Sequence, residues 1–353
     1  MKLELFEVAL PLRHEFTIAR GSLTSQEAMI VALTHNGHTG WGEVTANPYY
    51  GFDLATIRTD IESVRDILEA SDQQSPEELW QACYAELPHN PFALCAIDLS
   101  YNDLWARLAG KRLLEAWGLS TASIPASSYT IGIDAIDTMI MKLKEMPGWG
   151  CYKIKLGTPT DIDIVRALRQ HTDATFRVDA NCGWSVDETI AKSHALKALG
   201  VEFIEQPLPA DATPEDKSTV YRESALPIVA DENCIEEQDV AACRPFFHGV
   251  NVKLCKCGGL TPARRMLLHA RSLGLKTMVG CMIESSIGIS AAAQLLPLLD
   301  YADLDGAILL RHEPARGVTI DRGQVALVDA PGTGAELLRD RLSEFAISRN
   351  SRE

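Results

Sequence analysis

From about residue 126, short apolar runs ending in charged residues alternate with helical stretches, and no other feature of this 353-residue chain restricts its fold as much. The runs are SYTIG, YKIKL, FRVDA, EFIEQ, PIVAD, VNVKL, KTMVG and YADLD, and segments such as DIDIVRALRQH, VDETIAKSHALKALG and TPARRMLLHARSLG separate most of them. Strands alternating with helices predict a parallel sheet, and eight of them predict a barrel, which needs about 200–250 residues to close. Lys155, Asp179, Glu205, Asp231 and Lys253 end or nearly end successive strands at intervals of 24, 26, 26 and 22 residues, and Asp303 ends the eighth. A doubly wound sheet would share the alternation, but no G-x-G-x-x-G phosphate loop is present. In a barrel the C-terminal strand ends converge on one face, so these separated charges form one expected cluster.

Residues 1–115 mix strands (KLELFEVALPL, and AMIVALTHNGHTGWGEV broken by an NG turn) with helical periodicity at 54–68, 76–86 and through FALCAIDLSYNDLWARLAG. This predicts an α+β domain preceding a barrel over 126–320. No helix follows Asp305 directly; GVTIDRGQVAL reads as a hairpin and GAELLRDRLSEFAIS as a last helix, with about 321–353 packing back on the first domain and RNSRE frayed. The net charge of −15 argues against nucleic acid or an anionic membrane as partner. No apolar run approaches the ~20 residues of a membrane span. The chain starts in strand-like alternation without an apolar signal region, and its nine cysteines form no CxxC pair. Reduced thiols in a cytoplasmic protein are expected.

Asp179, Glu205 and Asp231 end three consecutive strands. Any one alone would serve as a strand-end cap, but three anions converging at low dielectric repel unless a cation joins them. An all-oxygen set suits a hard divalent ion, Mg²⁺ or else Mn²⁺. Lys153 and Lys155 share a face of the preceding strand, because side chains alternate along a strand, and Lys253 ends the strand after Asp231. Lysines thus flank the metal cage on both sides. A substrate held there has an amine on either face, an arrangement suited to removing a proton next to a carboxylate and returning one to either side. Lys155 and Lys253 are the expected bases. Lys153 depresses its neighbour and lends charge to the enolate, whereas Lys256, three residues past Lys253, is expected to be structural.

The set K-x-K at Lys153 and Lys155, Asp179, Glu205, Asp231 and Lys253 closely resembles the muconate-lactonizing subgroup of the enolase superfamily, over nearly the whole chain. The resemblance implies a modified (β/α)7β TIM-like barrel with an N-terminal α+β capping domain. Within the subgroup, YADLDG resembles the dipeptide epimerases, which implies that Asp303 and Asp305 bind a substrate α-ammonium group; paired carboxylates suit a cation. EFTIARGSLTSQ is similar to the specificity loop of L-Ala-D/L-Glu epimerases and implies that Arg20 reaches a side-chain carboxylate. GWGEVTANPYYG resembles the second capping loop, and Thr130 and Cys281 fall where the family lines its pocket.

Together these imply an Mg²⁺-dependent isomerase inverting the C-terminal residue of L-Xaa–Xaa dipeptides, with L-Ala-L-Glu the first choice and recycling of peptidoglycan peptides as a role. The partner is a small dipeptide, and a homo-oligomer is compatible with the sequence. Rival readings on the same scaffold are N-acylamino-acid racemisation, o-succinylbenzoate synthesis and cycloisomerisation. Readings of another class are a metal-free Schiff-base aldolase using Lys253 and a non-catalytic dipeptide-binding protein.

Overall fold

The computed structural model describes residues 1–71 and 74–347, so the expected fraying at RNSRE lies outside the described residues. Three antiparallel strands open the chain, β1 (Lys2–Ile18), β2 (Gly21–His35) and β3 (His38–Thr45), in the order β1-β2-β3. The NG signal is a two-residue hairpin turn, with Asn36 at φ 46° and Gly37 at φ 77°, the left-handed backbone such turns require. Alternation along β2 buries both faces of the sheet. Met29, Val31 and Leu33 join the main core, while Ala28, Ile30 and Ala32 join a second one with Val8, Leu10, Leu337 and Phe345.

Helices α1 (Leu54–Ser63), α2 (Arg65–Ala70), α3 (Pro76–Glu86) and α4 (Pro91–Leu108) cover the first face. The single helix expected over 54–68 is two, because Val64 leaves helical geometry at ψ 13° while its side chain stays in the core. Helix α3 starts on a Ser75/Glu78 capping box with Pro76 in the first turn, and α4 starts on the Asn90 side chain. Helix α4 rides directly on β3. A Cβ at Gly40 or Gly42 would lie 2.1 Å from the carbonyl oxygen of Ser100 or Ala96, so only glycine permits that approach. A short helix, α5 (Leu113–Ala116), follows.

Eight parallel strands then form one sheet: β4 (Tyr129–Ile131), β5 (Cys151–Lys155), β6 (Thr175–Asp179), β7 (Val201–Glu205), β8 (Ile228–Ala230), β9 (Gly249–Val252), β10 (Lys276–Gly280) and β11 (Tyr301–Asp303). The ring closes through a parallel bridge between Ser127 and Ala302, with Ser128 N–H donating to the Ala302 carbonyl at 3.1 Å. Between strands run α6 (Ile136–Glu145), α7 (Asp161–Arg169), α8 (Val186–Ala198), α9 (Pro214–Glu223), α10 (Glu237–Cys243), the pair α11 (Leu254–Cys257) and α12 (Leu260–Ser272), and α13 (Ser286–Ala293). Strand β11 is followed by a 3₁₀ turn at Gly306–Leu309, so the barrel is (β/α)7β. Phe203, Val229, Met278 and Tyr301 form a small separate cluster, with the Arg177 guanidinium 4.8 Å from the Tyr301 ring. They precede Glu205, Asp231, Gly280 and Asp303 by two residues each, hence fill the barrel below them.

The C-terminal segment forms the expected hairpin, Thr319–Asp321 against Gln324–Ala326. The expected last helix does not form. Glu336–Leu337 pairs with Ala315–Arg316 as strand, and Asp103 holds the Thr333 N–H, which commits this backbone elsewhere; only a 3₁₀ segment, Arg339–Phe345, remains. Among the described residues no helix is long and apolar enough to cross a membrane.

Two buried carboxylates of the capping domain seat it on barrel helices. Asp98 of α4 accepts from Thr261 N–H (2.8 Å) and hydroxyl (2.6 Å) at the start of α12; Glu43 of β3 accepts from Ser285 N–H (2.8 Å) and Gly288 N–H (3.0 Å) at the start of α13. These are orphan amides at helix N-termini, where anions are favoured. Glu284 sits near Glu43; burial and then the Glu43 charge push its carboxyl up to about 8. A carboxyl raised in the folded state stabilises fully below its unfolded value near 4.5 and loses that contribution as pH climbs through about 8. The melting temperature should therefore fall between pH 5 and 9, and Glu284→Gln should reduce that fall by a few degrees in calorimetric scans.

Candidate active site at the barrel mouth

Asp179 and Glu205 are the last residues of β6 and β7, and Asp231 directly follows β8. Each offers a carboxylate oxygen, the three lying within 4.8 Å of one another, and all three side chains are buried. The chain leaves this face through left-handed residues, Asn181 (φ 45°), Cys182 (φ 66°) and Gln206 (φ 36°), backbone that costs energy for non-glycine residues and clusters at functional sites. Gln206 helps to hold the turn: its Oε1 accepts from the N–H groups of Asp231 (3.0 Å) and Asn233 (3.2 Å).

Four ammonium groups meet these anions. Lys153 Nζ lies 2.8 Å from Glu205 Oε2, 3.1 Å from Asp179 Oδ2 and 2.9 Å from Asp303 Oδ2. Lys155 Nζ donates to Asp179 Oδ2 at 2.7 Å, Lys253 Nζ to Asp231 Oδ2 at 2.9 Å, and Lys256 Nζ to Asp231 Oδ1 at 2.6 Å. Strands β5 and β9 are four apart in the ring of eight, so Lys155 and Lys253 come from opposite sides of the mouth. Both line a cavity of about 320 Å³ that extends under the capping domain to Ile18, Arg20, Tyr49 and Tyr50.

The balance of charge is uneven. Burial opposes ionisation of Asp179 and Asp231, but Lys155 and Lys153 outweigh it at the first, and Lys253 and Lys256 at the second, holding both carboxyls below the usual range. Burial and then the Asp179 charge instead push Glu205 up to about 7. Its Oε1 accepts from Asn251 Nδ2 at 2.8 Å; its buried Oε2 faces the Lys153 ammonium at 2.8 Å, which it shares with Asp179 and Asp303. Three convergent carboxylates, one of them under-compensated, fit a hard divalent cation. Burial disfavours the Lys253 ammonium, and Asp231 more than offsets it, so that amine is held above the usual lysine range.

The other expected residues divide. Asp303, Asp305, Thr130 and Cys281 line the cavity. Asp303 Oδ1 accepts from Ser128 Oγ (2.8 Å) and Thr130 Oγ1 (3.3 Å), and Asp305 accepts from Thr130 N–H. Arg20 also lines it, with one arm of its guanidinium engaged: Nη1 pairs with Glu232 Oε1 at 2.7 Å and donates to the Asn181 carbonyl at 3.2 Å, and the group stacks 4.1 Å from the Tyr49 ring. Lys256, expected only as a structural residue, is buried against a cage carboxylate. Asn251 and Glu232 escaped the reading of the sequence, although each stands one or two residues from a singled-out position, and Asn251 shares the Lys253 face of β9. Gly280 escaped too. A Cβ there would stand 2.8 Å from Asn251 Nδ2 and 3.2 Å from Lys253 Cε. Gly280→Ala should therefore lower turnover ~10-fold or more by pushing Asn251 and the Lys253 side chain out of place, and should cost about 1–3 kcal/mol of stability in thermal melts, as overpacking of a core does.

A capping domain over a (β/α)7β barrel, with three carboxylates between lysines of opposite strands, defines a class of metal-assisted proton-transfer enzyme. Residues 1–118 match the mandelate racemase / muconate lactonizing enzyme N-terminal domain and residues 138–341 the enolase C-terminal domain-like family, and the chain belongs to this enolase-type family. It is 53% identical over 338 residues to an L-Ala-D/L-amino acid epimerase of Flavobacterium johnsoniae, covering 96% of this chain and 100% of that one. It is 49% identical to a protein of the same name from Maribacter sp., covering 96% and 99%. Among solved structures it is similar to a dipeptide epimerase from Cytophaga hutchinsonii in complex with Mg and D-Ala-L-Val, at 26% identity and TM-score 0.91, with 98% and 97% coverage.

Proposed function

We propose that this protein is an Mg²⁺-dependent epimerase of L-Ala-L-Xaa dipeptides, exchanging the α-proton of the C-terminal residue between Lys155 on one face and Lys253 on the other. The observation that carries this reading is the pair of amines arriving from opposite sides of a carboxylate cage within one cavity. Asp179, Glu205 and Asp231 would hold the ion. When bound, it supplies positive charge that draws on the cage carboxylates, anchors the substrate carboxylate and balances the charge that grows as the α-carbon is deprotonated.

The chain's own groups do the rest. One lysine takes the α-proton, the other returns one from the far side, and the configuration inverts. Lys153, fixed among Asp179, Glu205 and Asp303, keeps a positive charge next to the enolate oxygens. Asp303 and Asp305 receive the N-terminal ammonium; burial and then the Asp303 charge push Asp305 up to about 7, an excess of negative charge that an ammonium relieves. The capping loops exclude water above the reacting carbon.

Because Glu232 already meets Arg20, an anionic side chain gains less there than it would from a free guanidinium. The reading therefore takes in neutral C-terminal side chains alongside glutamate, in keeping with relatives described as acting on L-Ala-D/L-amino acids. L-Ala-L-Glu converted to L-Ala-D-Glu remains the first substrate to try, and recycling of peptidoglycan peptides in the cytoplasm is the setting we infer. Incubating a library of L-Ala-L-Xaa dipeptides with protein and Mg²⁺ in D₂O tests this. Substrates gain one deuteron at the C-terminal α-carbon by mass spectrometry; no uptake in any pool refutes the assignment.

A further inference from the structure

Each amine facing the cavity shares its carboxylate with a second amine. On the β5 side, Lys155 and Lys153 both meet Asp179 Oδ2, at 2.7 and 3.1 Å. On the β9 side, Lys253 meets Asp231 Oδ2 at 2.9 Å and Lys256 meets Oδ1 at 2.6 Å. Lys256 has no exposed side-chain surface and does not line the cavity, so it cannot touch a substrate. Its ammonium has three donors, and they have three acceptors: Asp231 Oδ1, the Asp231 main-chain carbonyl and, at 3.5 Å, the Asn251 carbonyl. The backbone is built to put it there. Helix α11 lasts four residues, is closed by Gly258 at φ 91° and yields at once to α12 through Gly259 at φ 120°, where a Cβ would lie 2.4 Å from Asp98 Oδ2.

We propose that Lys256 is a positioning residue for the Lys253 face of the reaction: it clamps the outer oxygen of Asp231, so that the carboxylate turns only Oδ2 toward Lys253 and leaves that amine aimed into the cavity. Without the clamp, the carboxylate rotates, offers both oxygens to the Lys253 ammonium and draws it away from the α-carbon. Lys153 and Lys155 stand on β5, four strands from Lys253, and pair with Asp179 rather than with Asp231, so the effect is one-sided.

This inference rests on the two-base reading above, and the experiment separates the two. Deuterium exchange into the L- and D-epimers of one dipeptide is measured for wild type, Lys253→Ala and Lys256→Met, at saturating Mg²⁺. Lys253→Ala identifies the epimer whose proton faces that amine. In Lys256→Met, exchange from that epimer should fall ~10-fold or more, the range for residues that orient a ligand from behind, while the other epimer changes less than about threefold. Mn²⁺ affinity by calorimetry should move less than tenfold, because losing a nearby ammonium favours the cation while losing the clamp disfavours it. Lys256→Gln, which keeps a donor, should recover part of the one-sided loss. Equal loss on both faces, no loss, a tenfold or larger drop in Mn²⁺ affinity, or failure of both variants to fold would overturn the proposal. Absence of exchange in the wild type would instead refute the two-base reading.

Discussion

Replacing Glu205 with glutamine is expected to weaken Mg²⁺ binding at least ~100-fold and to lower epimerisation at least as much at limiting metal, with little change in melting temperature. Groups that only orient a ligand already account for about 10–100-fold in affinity, and Glu205 would itself be a ligand. The exchange is close to isosteric. The glutamine carbonyl can still accept from Asn251 Nδ2, so the packing at the end of β7 survives. What changes is the inner oxygen, 2.8 Å from Lys153 Nζ in the native protein, which becomes an amide nitrogen facing the cation site. Stability should hold or rise, because Glu205 is a carboxylate that burial and Asp179 push up to about 7 and whose charge the fold disfavours. Calorimetric titration with Mg²⁺ beside thermal melts checks both halves. Undiminished affinity would move the ion away from this cage.

Asp305→Asn should produce the second large effect, a loss of ~10–100-fold in kcat/KM for free dipeptides, the value of one hydrogen bond to a charged group. The Thr130 N–H keeps an acceptor in the asparagine oxygen, so the loop should persist. Asp303 is a less clean target because Lys153 also depends on it at 2.9 Å. The informative quantity is a ratio. Wild type should prefer a dipeptide with a free amine over its N-acetyl derivative by about a thousandfold or more, the result of leaving buried carboxylates unpaired against a neutral group. Asp305→Asn should narrow that ratio, since it penalises only the charged substrate. A wild type that turns over N-acylated substrates as readily would favour racemisation of N-acylamino acids on the same scaffold.

Much of the site was legible because a parallel barrel imposes a simple rule: the last inward residue of each strand faces the mouth. Asp179, Glu205 and Asp231 could be placed together from strand spacing alone, and Lys153 and Lys155 from period-two alternation. Interactions that depend on the third dimension were hidden. Nothing in ADEN shows that Glu232 would meet Arg20, more than 200 positions earlier, and so alter what that arginine can offer a substrate. Nothing in LCKCGG shows that a four-residue helix would turn Lys256 back onto Asp231. The missing last helix had a local explanation only in hindsight: helical periodicity in GAELLRDRLSEF competes with strand pairing at Glu336–Leu337 and with the grip of Asp103 on Thr333, and the tertiary contacts prevail. The same limit applies to Gly280, whose lack of a side chain matters only because Lys253 and Asn251 occupy the space beside it.

If two amines address one carbon from opposite sides, α-hydrogen exchange by single-lysine variants separates the two faces. With L-Ala-L-Glu and L-Ala-D-Glu supplied separately in D₂O, Lys155→Ala and Lys253→Ala should each retain exchange from one epimer and lose it from the other by ~10²–10⁴-fold, the usual weight of a general base. The two variants should spare opposite epimers. If both lose exchange from the same epimer, or neither loses any, the amines do not flank the substrate.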